Sequence, residues 1–357
     1  MVFQMLSFSR IAVAVAGFIA VVAVLIAMSD EDGYYRGKFF SRMLQRGGDA
    51  TSAHKDKERA QVGWTAFAVS FARAIESLKN EGDGLVNDPV ATKLFDLRLG
   101  AAPFGARVIF SLFSSFKSLF GFVVGDSIVP VLSLVAVRTR YIDDHIEAFL
   151  TSSSGEMNSQ LVIIGAGLDA RPFRMGEMLR STNTMSFEVD FPGMLQEKRR
   201  IFQNCGFSYS KLIDQEKRVK HVGVDLSVPG WEDELLAQGF QKEAKTVWLL
   251  EGLTGYLTDE ELKQLLGIIS ESSAESSLII ATWITPDNPT KLGMHRFFTN
   301  DPSAVVKPFG FVEVDVSPLG KAGKHYNRNV DTKSFHTYLL SCHRKEKRLL
   351  NVNWPSA

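Results

Sequence analysis

The feature that most constrains the fold is an alternation of short apolar runs and helical segments that begins near residue 160. The apolar runs are Leu161–Ile164, Met185–Val189, His221–Val224, Thr246–Leu250 and Ser277–Trp283. Segments with helical spacing of apolar residues lie between them, notably Phe191–Phe202, Trp231–Gln238 and Asp259–Ser270. Short buried strands separated by helices predict an α/β fold with a doubly wound, mostly parallel sheet. Two later runs, Gly310–Val316 and Ser334–Cys342, are expected to add antiparallel edge strands.

An uninterrupted apolar stretch, Ile11–Met28, lies near the N-terminus. As a helix its 18 residues would span about 27 Å, close to the thickness of a bilayer core. We predict an N-terminal transmembrane helix at 11–28, within an anchor segment of residues 1–28. A cleaved targeting peptide and a buried helix are the alternatives. Only Arg10 precedes the stretch, whereas four basic residues follow closely: Arg36, Lys38, Arg42 and Arg46. This bias predicts a single-pass membrane protein with its folded domain in the cytosol.

The rest of the chain divides by composition. Residues 29–60 are polar and charged and are interpreted as a linker. The folded domain is expected over 61–357, with a helical cap at 61–150 and the α/β core at 160–342. Apolar residues recur at helical spacing over Gly63–Leu78. Residues 104–137 are rich in Phe, Val and Leu and form either buried helices or a face apposed to the membrane.

Charge and cysteine content narrow the classes of partner. The formal net charge is zero, so no overall field attracts nucleic acid, and no nucleic-acid partner is expected. Cys205 and Cys342 are the only cysteines, and they offer neither a disulfide framework nor a zinc-binding spacing. No metal site is predicted.

A glycine turn, Gly165-Ala166-Gly167, follows the first predicted strand. Glycines at this position let the backbone approach a ligand closely. The spacing also fits the dinucleotide pattern G-x-G-x-x-A ending at Ala170. Because dinucleotides and S-adenosylmethionine bind at similar turns, the turn alone leaves both cofactors open.

Acidic residues stand at the ends of the next three strands. Asp190 ends the second strand, where its carboxylate can accept hydrogen bonds from both ribose hydroxyls. Asp225 follows the third and could receive the exocyclic amine of adenine, with Leu226 packing on the ring. Glu251 follows the fourth. Because ligands bind at the carboxyl edge of open α/β sheets, we expect these side chains to share one site.

Two arginines precede the glycine turn in the segment Arg138-Thr139-Arg140-Tyr141. A guanidinium grips a carboxylate through paired hydrogen bonds, and S-adenosylmethionine carries a carboxylate on its methionine end. Either Arg138 or Arg140 could hold that group, so both are candidates.

These features together resemble the leucine carboxyl methyltransferase family, especially its bacterial-type branch of S-adenosylmethionine-dependent methyltransferases. The resemblance runs from about Gly63 to Cys342 and rests on motifs in a characteristic order. They are Trp64-Thr65-Ala66, Ala72-Arg73-Ala74-Ile75-Glu76, Asn87-Asp88-Pro89-Val90-Ala91, Arg138-Thr139-Arg140-Tyr141, GAGLDARPFR from Gly165, Glu188-Val189-Asp190, Val224-Asp225-Leu226 and EGLTGYL from Glu251.

The resemblance implies a class I methyltransferase sheet with a helical cap and S-adenosyl-L-methionine as cofactor. It implies that six positions contact this donor: Gly165, Asp190, Asp225, Leu226, Glu251 and an arginine of the Arg138–Arg140 segment. Family members proper methylate the C-terminal leucine carboxylate of a protein phosphatase catalytic subunit, and others resemble small-molecule or polyketide O-methyltransferases. The predicted anchor departs from the family pattern and speaks against the phosphatase substrate.

The hypothesis is therefore a membrane-anchored O-methyltransferase that acts on a carboxylate or hydroxyl of a small-molecule or protein acceptor. A non-catalytic, membrane-tethered adaptor that keeps the fold is an alternative, and an NAD-dependent oxidoreductase is another.

Catalytic residues are less strongly indicated. Tyr256 could line the acceptor pocket or belong to the core. Arg174, with Arg171, could orient an acidic acceptor or form salt bridges at the start of a helix. A carboxylate acceptor is already ionised at neutral pH and needs no general base. For a phenol acceptor, Glu251, Tyr256 and His145 are the conceivable bases.

Overall fold

The computed structural model describes ten stretches of the chain: 65–67, 69–79, 83–100, 130–152, 159–207, 218–287, 295–319, 326, 328 and 337–344. The predicted anchor at 11–28, the linker at 29–60 and most of the apolar segment 104–137 lie outside these stretches. Among the described residues, no helix has both the length and the apolar character needed to cross a bilayer.

A seven-stranded sheet forms the centre of the fold. Its strands are β1 (Gln160–Ile164), β2 (Met185–Asp190), β3 (Val219–Gly223), β4 (Thr246–Leu250), β5 (Leu278–Ile284), β6 (Phe311–Pro318) and β7 (Thr337–Arg344). They are ordered β3-β2-β1-β4-β5-β7-β6. The first five strands pair in parallel, and β7 is antiparallel to both β5 and β6. The predicted α/β class with a mostly parallel sheet is confirmed.

The two antiparallel strands differ from the prediction in one respect. Both were expected at an edge, but β7 lies between β5 and β6, so that β6 is the one of the two at an edge. Strand β7 pairs with β5 along its whole length, from Leu278 opposite His343 to Ile284 opposite Thr337. Leu340 and Cys342 of β7 are fully buried in the main apolar cluster on one face of the sheet.

Nine helices accompany the sheet within the described residues. They are α1 (helical residues 65–67 and 69–77), α2 (Pro89–Gly100), α3 (Pro130–Ser152), α4 (Arg171–Arg174), α5 (Gly176–Ser181), α6 (Pro192–Asn204), α7 (Trp231–Ala237), α8 (Asp259–Glu271) and α9 (Pro302–Val306). Short 3-10 turns occur at Thr254–Tyr256 and Lys307–Phe309. Asp88 accepts the N–H of Ala91 at 2.9 Å, which caps the start of α2.

The sheet is buried on both faces, as its apolar strands predict. Side chains of a strand alternate between faces. Val162 and Ile164 of β1 join one apolar cluster, whereas Leu161 and Ile163 join the cluster on the other face. Helix α3 contributes to this second cluster through residues that include Ile142, so it packs on this face of the sheet.

Helix α1 lies against the glycine turn. A Cβ atom added to Gly167 would come within 3.3 Å of the Ala66 Cβ. Phe67 of the same helix shares an apolar cluster with Leu168 and with Met194 of α6. Helix α1 thus covers the carboxyl edge of the sheet, where the site was predicted.

Candidate functional site

A cavity of about 310 Å³ opens at the carboxyl ends of the parallel strands. Four strand ends contribute to its wall, as do the helices α1 and α3. The lining includes the predicted residues Arg138, Gly165, Gly167, Asp190, Asp225, Leu226, Glu251 and Tyr256. Arg140 and Arg174 are not among the lining residues. Parallel strands bring their carboxyl ends to one edge, which explains why residues 113 positions apart in sequence meet here.

The glycine turn needs its glycines for both conformation and space. Gly165 has φ +69° and Gly167 has φ +40°, a region that side chains with a Cβ rarely adopt. A Cβ on Gly165 would lie 3.2 Å from the side chain of Leu253. The backbone of the turn therefore lies between helix α1 and the loop after β4, close to the cavity.

Asp190 links the turn to the end of β2. The amide N–H groups of Gly167 and Phe191 donate to its two carboxylate oxygens at 2.8 and 2.7 Å. Burial raises the pKa of Asp190, and these two hydrogen bonds oppose that rise. Since a carboxylate has about four acceptor positions, it keeps acceptor capacity for a ligand in the cavity.

Asp225 and Leu226 form the wall beyond β3. Ser227 donates to the Asp225 carboxylate from its backbone N–H at 3.0 Å and from its hydroxyl at 2.7 Å. Leu226 is partly buried and packs against the main apolar cluster. These contacts hold a hydrogen-bond acceptor, the Asp225 carboxylate, beside the apolar surface of Leu226 at the cavity wall.

Arg138 and Glu251 form an ion pair in the cavity wall. Arg138 Nε donates to Glu251 Oε1 at 2.8 Å. Arg140 instead pairs with Asp144 at 2.7 Å on the outer side of α3, near the ring of Tyr326. Two residues of a helix separated by one other point about 200° apart. The two candidate arginines therefore differ in direction: Arg138 faces the cavity, and Arg140 faces outward.

Arg171 and Arg174 lie behind the cavity in a buried ion-pair network. Arg171 contacts Asp143, Asp169 and Glu251, and Arg174 contacts Asp143. The guanidinium of Arg174, which was predicted to contact an acceptor, is held on Asp143, and Arg174 is not among the residues that line the cavity. The alternative expectation, salt bridges at the start of a helix, describes both arginines.

The candidate bases are poorly placed or poorly suited. Burial would raise the pKa of Glu251, but the Arg171 and Arg138 guanidiniums hold it far below its usual value. His145 lies outside the cavity lining, where it stacks on Tyr141 and contacts the carbonyl oxygen of that residue at 2.8 Å. A strongly acidic carboxyl is a weak base.

Tyr256 lines the cavity beside helix α1, and a pocket lining was one of the two placements predicted for it. Its hydroxyl donates to Thr65 Oγ1 at 3.3 Å, and its ring meets His295 edge-on at 5.1 Å between centroids. Burial raises the pKa of the Tyr256 hydroxyl. The 3-10 turn that carries Tyr256 is linked to the segment after β5, because the N–H of Arg296 donates to the Gly255 carbonyl at 2.7 Å.

Six polar or charged lining residues had no predicted role: Thr65, Arg73, Asp169, Ser227, Glu261 and Arg296. Arg73 is buried and donates to Asp88 and to the Leu168 carbonyl, both at 2.8 Å. In the sequence, the signal for a role of Arg73 was its position as a charged residue on the apolar face of the predicted helix 63–78. For the described part of the chain, no group of three or more His, Cys, Asp or Glu side chains is arranged to hold a metal ion.

Comparison with known proteins agrees with this geometry. The leucine carboxyl methyltransferase family model matches residues 66–270. A protein of Mycolicibacterium smegmatis, named as an S-adenosyl-L-methionine-dependent methyltransferase, is 33% identical over 231 residues, which cover 64% of this chain and 67% of the relative. A Mycobacterium marinum protein with the same kind of name is 31% identical over 306 residues, 84% of this chain and 86% of the relative.

A solved methyltransferase structure from Thermobifida fusca is 14% identical, with a TM-score of 0.43 over 60% of this chain and 83% of that one. The family match and the two sequence relatives show that the cofactor is S-adenosyl-L-methionine rather than NAD, a choice that the glycine turn alone left open. The chain belongs to the leucine carboxyl methyltransferase family and is an S-adenosyl-L-methionine-dependent methyltransferase.

Proposed function

We propose that this enzyme transfers the methyl group to an oxygen of a carboxylate acceptor. The observation that carries the proposal is the chemistry of the cavity wall. No histidine or cysteine occurs among the described lining residues, and the Glu251 carboxyl is held in its ionised form by two guanidiniums. A carboxylate is ionised at neutral pH and needs no base, whereas a phenol with a pKa near 10 would benefit from one.

The order of the strands supports an arrangement of the donor along the cavity. Asp190 ends β2 and Asp225 follows β3, so they are suited to the ribose and adenine of S-adenosylmethionine. Leu226 offers the adenine ring an apolar surface. The turn at Gly165 and Gly167 lines the cavity and has no side chains at these two positions, so the donor can approach its backbone closely.

Arg138 and Glu251 suit the methionine end of the donor. Arg138 uses Nε on Glu251, and no described residue accepts from its two terminal nitrogens. These terminal groups can hold the donor carboxylate, while Glu251 can accept from the donor ammonium. When bound, S-adenosylmethionine supplies a methyl group on a cationic sulfur, a good leaving group, so the protein has mainly to position the reactants.

The acceptor side lies toward the ends of β4 and β5. Tyr256 and Arg296 follow these strands and line the cavity. Arg296 lies 3.8 Å from Glu261 and brings a positive charge to this side of the cavity, which suits an acidic acceptor. Tyr256 supplies an aromatic wall that helps to keep water away from the reacting oxygen.

We also propose that the apolar stretch at 11–28 anchors the enzyme in a membrane, with the catalytic domain on the cytosolic side. The length of the stretch and the excess of basic residues after it support this orientation. The acceptor would then be a small molecule or a protein carboxylate that is accessible near the membrane surface.

The experiment is transfer of a labelled methyl group from S-adenosylmethionine by the full-length chain to a membrane lysate. Label that mild base releases as methanol is expected, because methyl esters are base-labile. Label that resists base would instead indicate a hydroxyl acceptor. The Asp190→Ala variant serves as the inactive control. Donor binding without transfer to any fraction would contradict the proposal and favour the non-catalytic, tethered adaptor.

A further inference from the structure

Arg171 is a cation enclosed in the protein, with a fully buried side chain. Its Nε donates to Asp143 Oδ1 at 2.8 Å, and its Nη1 donates to Glu251 Oε2 at 2.7 Å and also to Asp169. Its backbone N–H donates to Asp169 Oδ1 at 2.7 Å. A buried charge is tolerated only when it is paired, and here three carboxylates pair with one guanidinium.

These three carboxylates come from three separate parts of the site. Asp143 belongs to α3, the helix that carries Arg138. Asp169 follows the glycine turn, and Glu251 follows β4. One side chain thus connects the helix, the turn and the strand end that form the methionine end of the cavity. Arg171 itself is not among the lining residues, so it has no place in direct contact with a ligand.

The shared partner of Arg171 and Arg138 is Glu251. Arg138 occupies Oε1 and Arg171 occupies Oε2, so both oxygens of the carboxylate are engaged. Without Arg171, both oxygens would be available to Arg138, which could then pair with Glu251 through two parallel hydrogen bonds. That pairing would draw a terminal nitrogen of Arg138 away from the cavity and neutralise its charge.

On the basis of the donor site proposed above, we propose that Arg171 is a positioning residue for the methyl donor. It fixes Glu251 from behind and so keeps the terminal nitrogens of Arg138 directed at the donor carboxylate. Its effect is confined to the methionine half of the donor, because the adenosine half is held by Asp190 and Asp225, which Arg171 does not contact.

The test compares two ligands and two variants of the full-length chain by calorimetry. S-Adenosylhomocysteine carries the amino-acid group, whereas 5′-methylthioadenosine shares the adenosine and the sulfur but lacks it. Arg171→Lys keeps the charge but cannot span three carboxylates. We expect this variant to bind S-adenosylhomocysteine about tenfold more weakly or worse, because a hydrogen bond to a charged group contributes about that much to affinity. Binding of 5′-methylthioadenosine should change by less than about twofold, within the scatter of uncoupled sites.

Arg174→Lys is the matched control. Arg174 is buried in the same network, but it pairs with Asp143 only and does not contact Glu251. It should lower stability comparably while leaving the affinity ratio of the two ligands unchanged. If Arg171→Lys fails to fold, Asp143→Asn loosens Arg171 from one side and should shift the same ratio in the same direction.

Three outcomes overturn the proposal. If Arg171→Lys weakens the binding of both ligands equally, the substitution damages the site in general. If it changes the binding of neither ligand, Arg171 has no positioning role. If Arg174→Lys shifts the affinity ratio of the two ligands as much as Arg171→Lys does, the effect is not specific to Arg171. Arg138→Met distinguishes this failure from failure of the donor-site assignment. If Arg138→Met keeps full affinity for S-adenosylhomocysteine, Arg138 does not hold the donor, whatever Arg171 does.

Discussion

The amide N–H of Gly167 donates to Asp190 Oδ2 at 2.8 Å, so the glycine turn after β1 is tied directly to the end of β2. Adjacent parallel strands bring the two residues together, with Ile164 of β1 in register with Val189 of β2. The same carboxylate therefore shapes the turn and faces the cavity. Loss of this carboxylate should affect the turn and the ligand together.

Asp190→Ala is expected to weaken S-adenosylhomocysteine binding by at least about tenfold, because it removes a charged acceptor for ligand hydroxyls and releases the Gly167 amide. Titration calorimetry on the full-length chain measures the change. Asp96→Ala, which removes an exposed carboxylate from α2, should leave the affinity unchanged. Wild-type affinity in Asp190→Ala would rule out Asp190 as a donor contact.

Gly165→Ala should lower the free energy of unfolding by about 1–2 kcal/mol, the cost of a left-handed conformation for a residue with a Cβ. It should also weaken donor binding, since the new Cβ would crowd Leu253. Gly206→Ala is the control, because Gly206 has φ +84° and no atom within 4 Å of an added Cβ. Urea unfolding should detect a loss in both variants. Weaker donor binding in Gly206→Ala as well would mean that crowding at the turn is not the cause.

Glu251 should stabilise the fold in a pH-dependent way. Burial raises its pKa, but Arg171 and Arg138 outweigh burial and lower it well below the unfolded value of about 4.3. A carboxyl with a depressed folded pKa contributes its full stabilisation above the unfolded pKa and loses it as the pH falls toward the folded pKa. The difference in unfolding free energy between wild type and Glu251→Gln should therefore be largest near neutral pH and shrink below about pH 4.

Urea unfolding at a series of pH values measures this difference. Glu147→Gln changes an exposed glutamate of α3 and should show a much smaller effect over the same range. A difference for Glu251→Gln that stays constant down to about pH 3 would contradict the ion pairing with Arg138 and Arg171.

Tyr256→Phe should keep most of the methyl transfer activity with an unchanged pH–rate profile. The variant loses one neutral hydrogen bond to Thr65, so kcat/KM should fall by no more than about tenfold. Tyr326→Phe, which alters a tyrosine bonded to Asp144 outside the cavity lining, should behave as wild type. Loss of a rise in rate with increasing pH, together with a much larger fall in kcat, would assign Tyr256 as a general base and favour a hydroxyl acceptor.

The proposed anchor predicts the behaviour of a fluorescent fusion. The full-length fusion should pellet with membranes and resist carbonate extraction, and deletion of residues 1–28 should release it. Replacing Val21 and Val22 by Lys keeps the length of the segment but adds charges that cost about 2.5–3.5 kcal/mol each at the centre of a membrane helix. This variant should also be released. A wild-type fusion found wholly in the soluble fraction would remove the anchor.

Much of the sheet was predictable from local sequence. A strand buried on both faces is apolar throughout, and the predicted run Leu161–Ile164 differs from β1, Gln160–Ile164, by one residue. The edge strand β3 was predicted less well, at His221–Val224 instead of Val219–Gly223, because an edge strand is only partly buried and its sequence is mixed. The insertion of β7 between β5 and β6 depends on pairing over 50 residues or more, which no local pattern reports.

The sequence by itself determined that glycines and acidic residues stand at successive strand ends, and that parallel strands gather them at one edge. Only the tertiary structure decided which charged side chains face the cavity. Arg138 and Arg140 have the same chemistry and differ in direction on α3, and Arg174 is turned toward Asp143 behind the site. The physical reason is that chain position sets the end of a strand, whereas the partner of a buried charge is set by packing of distant segments.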